Sequence, residues 1–233
     1  MGFFDKLFGE DELLWALHTT MTCDLNYVTS LIAKQNKSDL VEKRILPKEL
    51  DKTAVFYHPD PSKNRVLRYK ASGKKIKIRM FKKVVYELSG NQTFHAKISL
   101  VAYKRESGIG YRLAVYSKNH EFNVMCNETA LLFELELQDK QTESGVALCA
   151  YLEKLQDNVD EKGKKWIKTH ITKEIYESLK KCKLISEFGK EAELYFGGCE
   201  LDNKLGSLLQ LDSVEADSIV LTPPEYIKQS ESV

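Results

Sequence analysis

Between residues 52 and 138, β-branched and aromatic residues gather into short alternating runs, cut by turn-forming segments at 59–64, 71–74, 89–92, 106–110 and 118–120. Connections of two to six residues return a chain antiparallel to its neighbour, so this region predicts a meander of about seven strands. The alternation is plainest where Ile76, Ile78 and Met80 interleave with Lys75, Lys77 and Arg79, and where Leu131, Phe133, Leu135 and Leu137 interleave with Glu134 and Glu136. Each such strand should have one buried and one wet face.

Either side of this region the period is helical. Leu13, Leu14, Leu17, Met21, Leu25, Val28, Leu31 and Ile32 recur at three- and four-residue steps, with Glu10, Asp11 and Glu12 suited to a helix start. One long amphipathic helix is expected over residues 10–33, followed by a connector through Pro47. Helical periods return at 144–158 and 172–182. Strand-like stretches follow at 184–188, 192–196 and 218–221, the last stopped by Pro223 and Pro224. The expected fold class is therefore α+β: an antiparallel β-meander with helices packed on one face, preceded by the long N-terminal helix. Residues 1–47 read as a helical arm and connector, and 48–233 as one α+β domain, with the meander at 52–138 and a mixed section at 143–222.

At 233 residues the chain can bury a real core, and its formal charge of +1 does not by itself demand a polyanionic partner. The start mixes aromatics with Asp5 and Lys6, unlike a secretory leader, and the longest apolar runs fall well short of the roughly 18 residues of a spanning helix. No transmembrane segment is expected, and the location reads as cytoplasmic, with a membrane-peripheral alternative. The five cysteines are odd in number and scattered, without metal-ligand spacing, so they read as reduced thiols. No cofactor or metal is expected, since phosphate-loop, dinucleotide, nucleophile-elbow and zinc-protease motifs are all absent.

Two segments offer contacts. On a helix, Phe3, Phe4, Leu7 and Phe8 share one side with Lys6 beside them, a face suited to a membrane interface or a partner, and equally to the protein's own core. Lys75, Lys77, Arg79 and Lys82, preceded by Arg65, Arg68 and Lys70, would line a strip for phosphates, unless Glu134 and Glu136 balance them across the sheet.

Catalysis would start from His18, His58, His95, His120 or His170. The pair His120 and Cys126 lies about 20 Å apart if extended, at ~3.3 Å per residue, too far for proton transfer. His58-Pro-Asp-Pro61 reads as a rigid turn, and Gly197-Gly198-Cys199 as a strand end. No catalytic residue is assigned. The leading expectation is a non-enzymatic binding or assembly protein, acting through a protein partner, self-association or peripheral membrane contact. One alternative is a binder of nucleic acid or anionic lipid through the basic strands; the other is an enzyme whose site is assembled only in space.

Overall fold

A computed structural model describes residues 3–20, 27–28, 31–32, 35, 50–57, 83–88, 96–116, 130–186, 191–196 and 218–221. After helix α1 (Phe3–Phe8) come strands β1 (Glu12–Thr20), β2 (Thr53–Tyr57), β3 (Val85–Glu87), β4 (Ile98–Arg105), β5 (Gly108–Tyr116) and β6 (Ala130–Leu137). Helices α2 (Glu143–Asp157), α3 (Glu161–His170) and α4 (Lys173–Lys180) follow, then strands β7 (Cys182–Ser186), β8 (Glu191–Phe196) and β9 (Ser218–Leu221). The sheet runs in the order β3-β2-β1-β4-β5-β6-β7-β8-β9.

This corrects the expected meander, because the sheet is mixed. β1 pairs parallel with β2, β2 with β3 and β8 with β9, while β1–β4, β4–β5, β5–β6, β6–β7 and β7–β8 are antiparallel. The long N-terminal helix is also overturned. Its first half is β1, a strand inside the sheet, whereas Tyr27, Val28, Leu31, Ile32 and Gln35 are helical.

The reason is burial on both faces. Trp15 and Leu17 pack into one core, Ala16 into the other, and every residue from Trp15 to Thr20 is buried. A strand covered on both sides is apolar at every position, and its leucines then match a helical template as readily as a strand one. A register shift between Leu13 and Trp15 adds to the disguise, since a bulge breaks two-residue alternation.

Two apolar layers hold the sheet. The larger lies under α2, α3 and α4 and joins Trp15, Phe56, Ile98, Leu100 and Leu113 to Leu148, Leu152, Trp166, Ile167 and Leu179. The smaller lies under α1 and the helical residues Val28, Leu31 and Ile32, against Ala16, Val55, Val101 and Ala114. Helical cover is thus on both faces of the sheet, where one face was expected. Trp166 locks α3 down: its ring meets those of Trp15 and Phe56 edge-on, and its Nε1 donates to the Asp51 carbonyl at 2.8 Å.

Local chemistry sets the helix ends. The Thr142 hydroxyl accepts from Gly145 N at 3.0 Å, capping α2, and donates to the Cys182 carbonyl, so one side chain ties α2 to β7. Thr142→Ala should lower the free energy of unfolding by about 1–2 kcal/mol, read as a lower urea midpoint with unchanged slope. A loss near zero would mean that water replaces the cap. Gly9, at φ 55, turns α1 back over the sheet; a side chain there would meet the Arg112 guanidinium, 2.6 Å from an added Cβ.

Candidate functional site

The parallel strands place a strand-order switch next to β1. The chain leaves the carboxyl end of β1 toward β2 on one side, while β4 comes in on the other side, antiparallel, with Ser99 opposite His18. The amino end of β4, the carboxyl end of β2 at Tyr57 and the carboxyl end of β5 at Tyr116 reach the same margin, since Thr20 pairs with Tyr57 and Ile98 with Val115.

His18, Thr19, Thr20, Gln35, Thr53 and Ser99 are all buried. Of these buried polar groups, His18, Thr19, Thr20 and Ser99 lie at or next to this margin, whereas Thr53 opens β2 at its other end. The Thr53 hydroxyl donates to Gln35 Oε1 at 3.0 Å, which leaves Gln35 Nε2 to donate to His18 Nε2 at 2.9 Å. Nε2 of His18 is therefore an acceptor, the ring proton sits on Nδ1, and it is donated to Ser99 Oγ at 2.6 Å. The imidazole is a neutral strut between β4 and a helix, with both nitrogens engaged. That is a structural use of His18.

Beyond Ser99 stands Lys97, half-buried one residue before β4 begins. Burial lowers its pKa, since removal from water penalises the ammonium. The peptide units on either side of it are held by Thr19: the hydroxyl donates to the Ala96 carbonyl at 3.0 Å and accepts from Ile98 N at 3.2 Å. Tyr151 of α2 in turn donates to Thr19 Oγ1 at 3.2 Å, and burial drives the Tyr151 phenol well above its usual range. Lysines with a lowered pKa are candidates for chemistry or anion capture.

Away from this margin, a second polar group joins Arg112, Glu134, Asp11, Tyr103 and Arg105. Arg112 Nε donates to Glu134 Oε1 at 2.5 Å and Nη2 to Asp11 Oδ2 at 2.9 Å, with the guanidinium over the Tyr103 ring at 4.1 Å. Arg105 reaches Glu134 Oε2 at 2.7 Å and also contacts the Tyr103 hydroxyl. Burial, with the hydrogen bond to Glu134, pushes Tyr103 up to about 12. Every charge here has an opposite one beside it, and the group fastens α1 through Arg112 to the Leu7 carbonyl. It is a clamp.

The sequence-derived candidates fall as follows. Leu7 and Phe8 are buried in the smaller core, and the side chains of Phe3 and Phe4 lie outside the described residues. Lys75, Lys77, Arg79 and Lys82 also lie outside them, as do His58, His95, His120, Cys126 and residues 197–199. Glu134 answers Arg105 and Arg112. His170 stacks on Trp166 at 4.3 Å, with Nδ1 against the Trp166 carbonyl, closing the end of α3. Cys149 and Cys182 are buried, and burial pushes their thiols up to about 12 and about 11, the wrong direction for nucleophiles. Sequence reading passed over Lys97. Its one signal was a cation two residues after His95, immediately ahead of the apolar run of β4.

Fold and site together describe an open, mixed sheet covered by helices, with buried polar groups where β1 ends beside the start of β4. No family model and no curated protein matches the sequence. Among solved structures the chain is similar to the yeast tyrosyl-DNA phosphodiesterase and to mutants of it, at 12% identity and a TM-score of 0.43 over 77% of this chain. It spans 36% to 37% of those chains, about a third of their length. No helix among the described residues is long and apolar enough to cross a membrane.

Proposed function

We propose that the chain is an enzyme acting on phosphodiesters, with Lys97 binding the phosphate at the margin where β1 ends and β4 begins. One observation carries the reading: Lys97 stands half-buried where β1 ends and β4 begins, with both of its flanking peptide units held by the buried Thr19 hydroxyl. An arriving phosphate would offset the desolvation of that ammonium, and the ammonium would stabilise charge growing on the phosphoryl oxygens during displacement.

The sequence supplies candidate partners next to the described strand ends. His95 is two residues before Lys97 and shares its parity with Ser99, and an imidazole is suited to attack on phosphorus or to proton transfer to the leaving oxygen. Ser117, Lys118, Asn119 and His120 directly follow the carboxyl end of β5. The connection that leaves β2 after Tyr57 carries Lys63, Arg65, Arg68, Lys70, Lys74, Lys75, Lys77, Arg79 and Lys82 against the single acidic residue Asp60. So basic a segment suits a substrate bearing many phosphates, and a nucleic-acid strand is favoured.

The test is release of p-nitrophenolate from bis(p-nitrophenyl) phosphate, run beside the monoester and p-nitrophenyl acetate, together with cleavage of a labelled single-stranded oligonucleotide. Diester turnover above the acetate rate supports the reading. Cleavage of phosphatidylglycerol vesicles but not of the oligonucleotide would move the substrate to lipid, against the nucleic-acid preference. Inorganic phosphate should also raise the melting temperature of the wild type but not of Lys97→Met, because a ligand that binds only the folded state stabilises it. Equal shifts in both proteins would remove Lys97 from the phosphate site.

A further inference from the structure

We infer that Thr19, backed by Tyr151, is a positioning residue for Lys97, an inference that rests on the phosphodiester reading. Regular pairing of β1 with β4 ends at His18 opposite Ser99. At the next step a side chain takes over from the backbone ladder. One Thr19 hydroxyl donates to the Ala96 carbonyl at 3.0 Å and accepts from Ile98 N at 3.2 Å, so it holds both peptide units that flank Lys97. Its remaining acceptor position is filled by the Tyr151 hydroxyl at 3.2 Å. A threonine hydroxyl has one proton and two lone pairs, and all three are used.

The arrangement differs from ordinary strand pairing in what it permits. A ladder hydrogen bond would commit this segment to the sheet, whereas the hydroxyl anchors the chain just before it enters the sheet at Ile98. Thr19 is fully buried and belongs to the same strand as the His18 strut, so the anchor is itself rigid. Tyr151 ties it to α2, whose Leu148, Leu152 and Leu155 are in the larger core. The position of Lys97 is thus referred to both the sheet and the helical layer. Misplacing a reacting group by about 1 Å can cost on the order of 100-fold in rate, which is the scale such an anchor protects.

Thr19→Val removes the hydroxyl at nearly constant volume, Thr19→Ser keeps it, and Tyr151→Phe removes only the backing donor. On bis(p-nitrophenyl) phosphate, Thr19→Val should lose about 10- to 100-fold in kcat with KM little changed. Thr19→Ser should restore most of that loss, and Tyr151→Phe should fall between. Amide hydrogen exchange at Ile98 gives a reading independent of turnover: faster in Thr19→Val, near wild type in Thr19→Ser. Unaltered exchange in Thr19→Val overturns the inference, as does faster exchange with unchanged kcat, or equal kcat losses in the Val and Ser variants. A wild type inactive on every phosphodiester tried would sink the functional reading instead, while Ile98 exchange still decides whether Thr19 holds the segment. If Thr19→Val does not fold, Tyr151→Phe decides by the same measurements: a lowered kcat with faster Ile98 exchange supports the anchor, and wild-type values for both overturn it.

Discussion

Lys97→Met should lower kcat/KM for a phosphodiester by about 100- to 1,000-fold, the usual cost of deleting one preorganised charge-stabilising donor. The fold should survive unharmed. Methionine keeps the apolar stem, and the ammonium it removes is one that burial already disfavours. The linkage runs accordingly: with the folded-state pKa below the unfolded one, this lysine's contribution favours the fold at alkaline pH and is lost as pH falls through the folded pKa. At neutral pH the charge is thus a cost to the native state, and the methionine variant should melt at or above the wild-type temperature. Wild-type turnover should fall on the alkaline side below the ordinary lysine value, because the cation is needed and burial makes it shed its proton early. Activity that is unchanged in Lys97→Met ends the assignment.

His18→Leu should act the other way, on stability above all. The side chain is fully buried and links Gln35 to Ser99 through its two nitrogens. Leucine fills the space but deprives the Gln35 amide of its acceptor and the Ser99 hydroxyl of its donor. Each buried group left short costs about 1–3 kcal/mol, so the variant should lose about 2–6 kcal/mol in urea unfolding. Adding Ser99→Ala should recover part of the loss, since it removes one of the two stranded groups. A loss under about 1 kcal/mol would show that the strut carries little. The contrast between these two variants separates the histidine that braces β1 against β4 from the lysine that precedes β4.

The antiparallel half of the sheet was legible from short-range pattern. β4 and β5 are joined at Glu106 and Ser107, inside the expected turn, and Gly108 takes φ 130 there. In β6, Phe133 and Leu135 are buried as the alternation required, whereas Leu137 is 63% exposed because it lies at the strand's end. The helices α2 and α4 and the strands β7, β8 and β9 fall where the periods changed. α3 was missed. Its ten residues carry Lys162, Lys164, Lys165, Lys168 and His170, and only Gly163, Trp166 and Ile167 are buried, too sparse a stripe to stand out as periodic.

The site was less legible than the fold. His18 was visible as a histidine, but its role depends on Gln35, Thr53 and Ser99, which lie 17, 35 and 81 residues away along the chain. Lys97 looked like one cation among many. Its lowered pKa comes from surroundings that no neighbouring residue specifies.

By itself the sequence determined where the chain is apolar, where it turns and which stretches beyond residue 138 alternate between helix and strand, because these follow from local sterics and from which neighbours share a face. Only the tertiary structure decided that residues 12–20 form a strand, that β1, β2 and β3 run parallel, and that Lys97 stands at the switch between β1 and β4. The reason is that a strand buried on both faces loses the alternation that marks it. Its identity then depends on layers supplied by other segments: α1 with Val28, Leu31 and Ile32 on one side, and the far more distant α2 to α4 on the other.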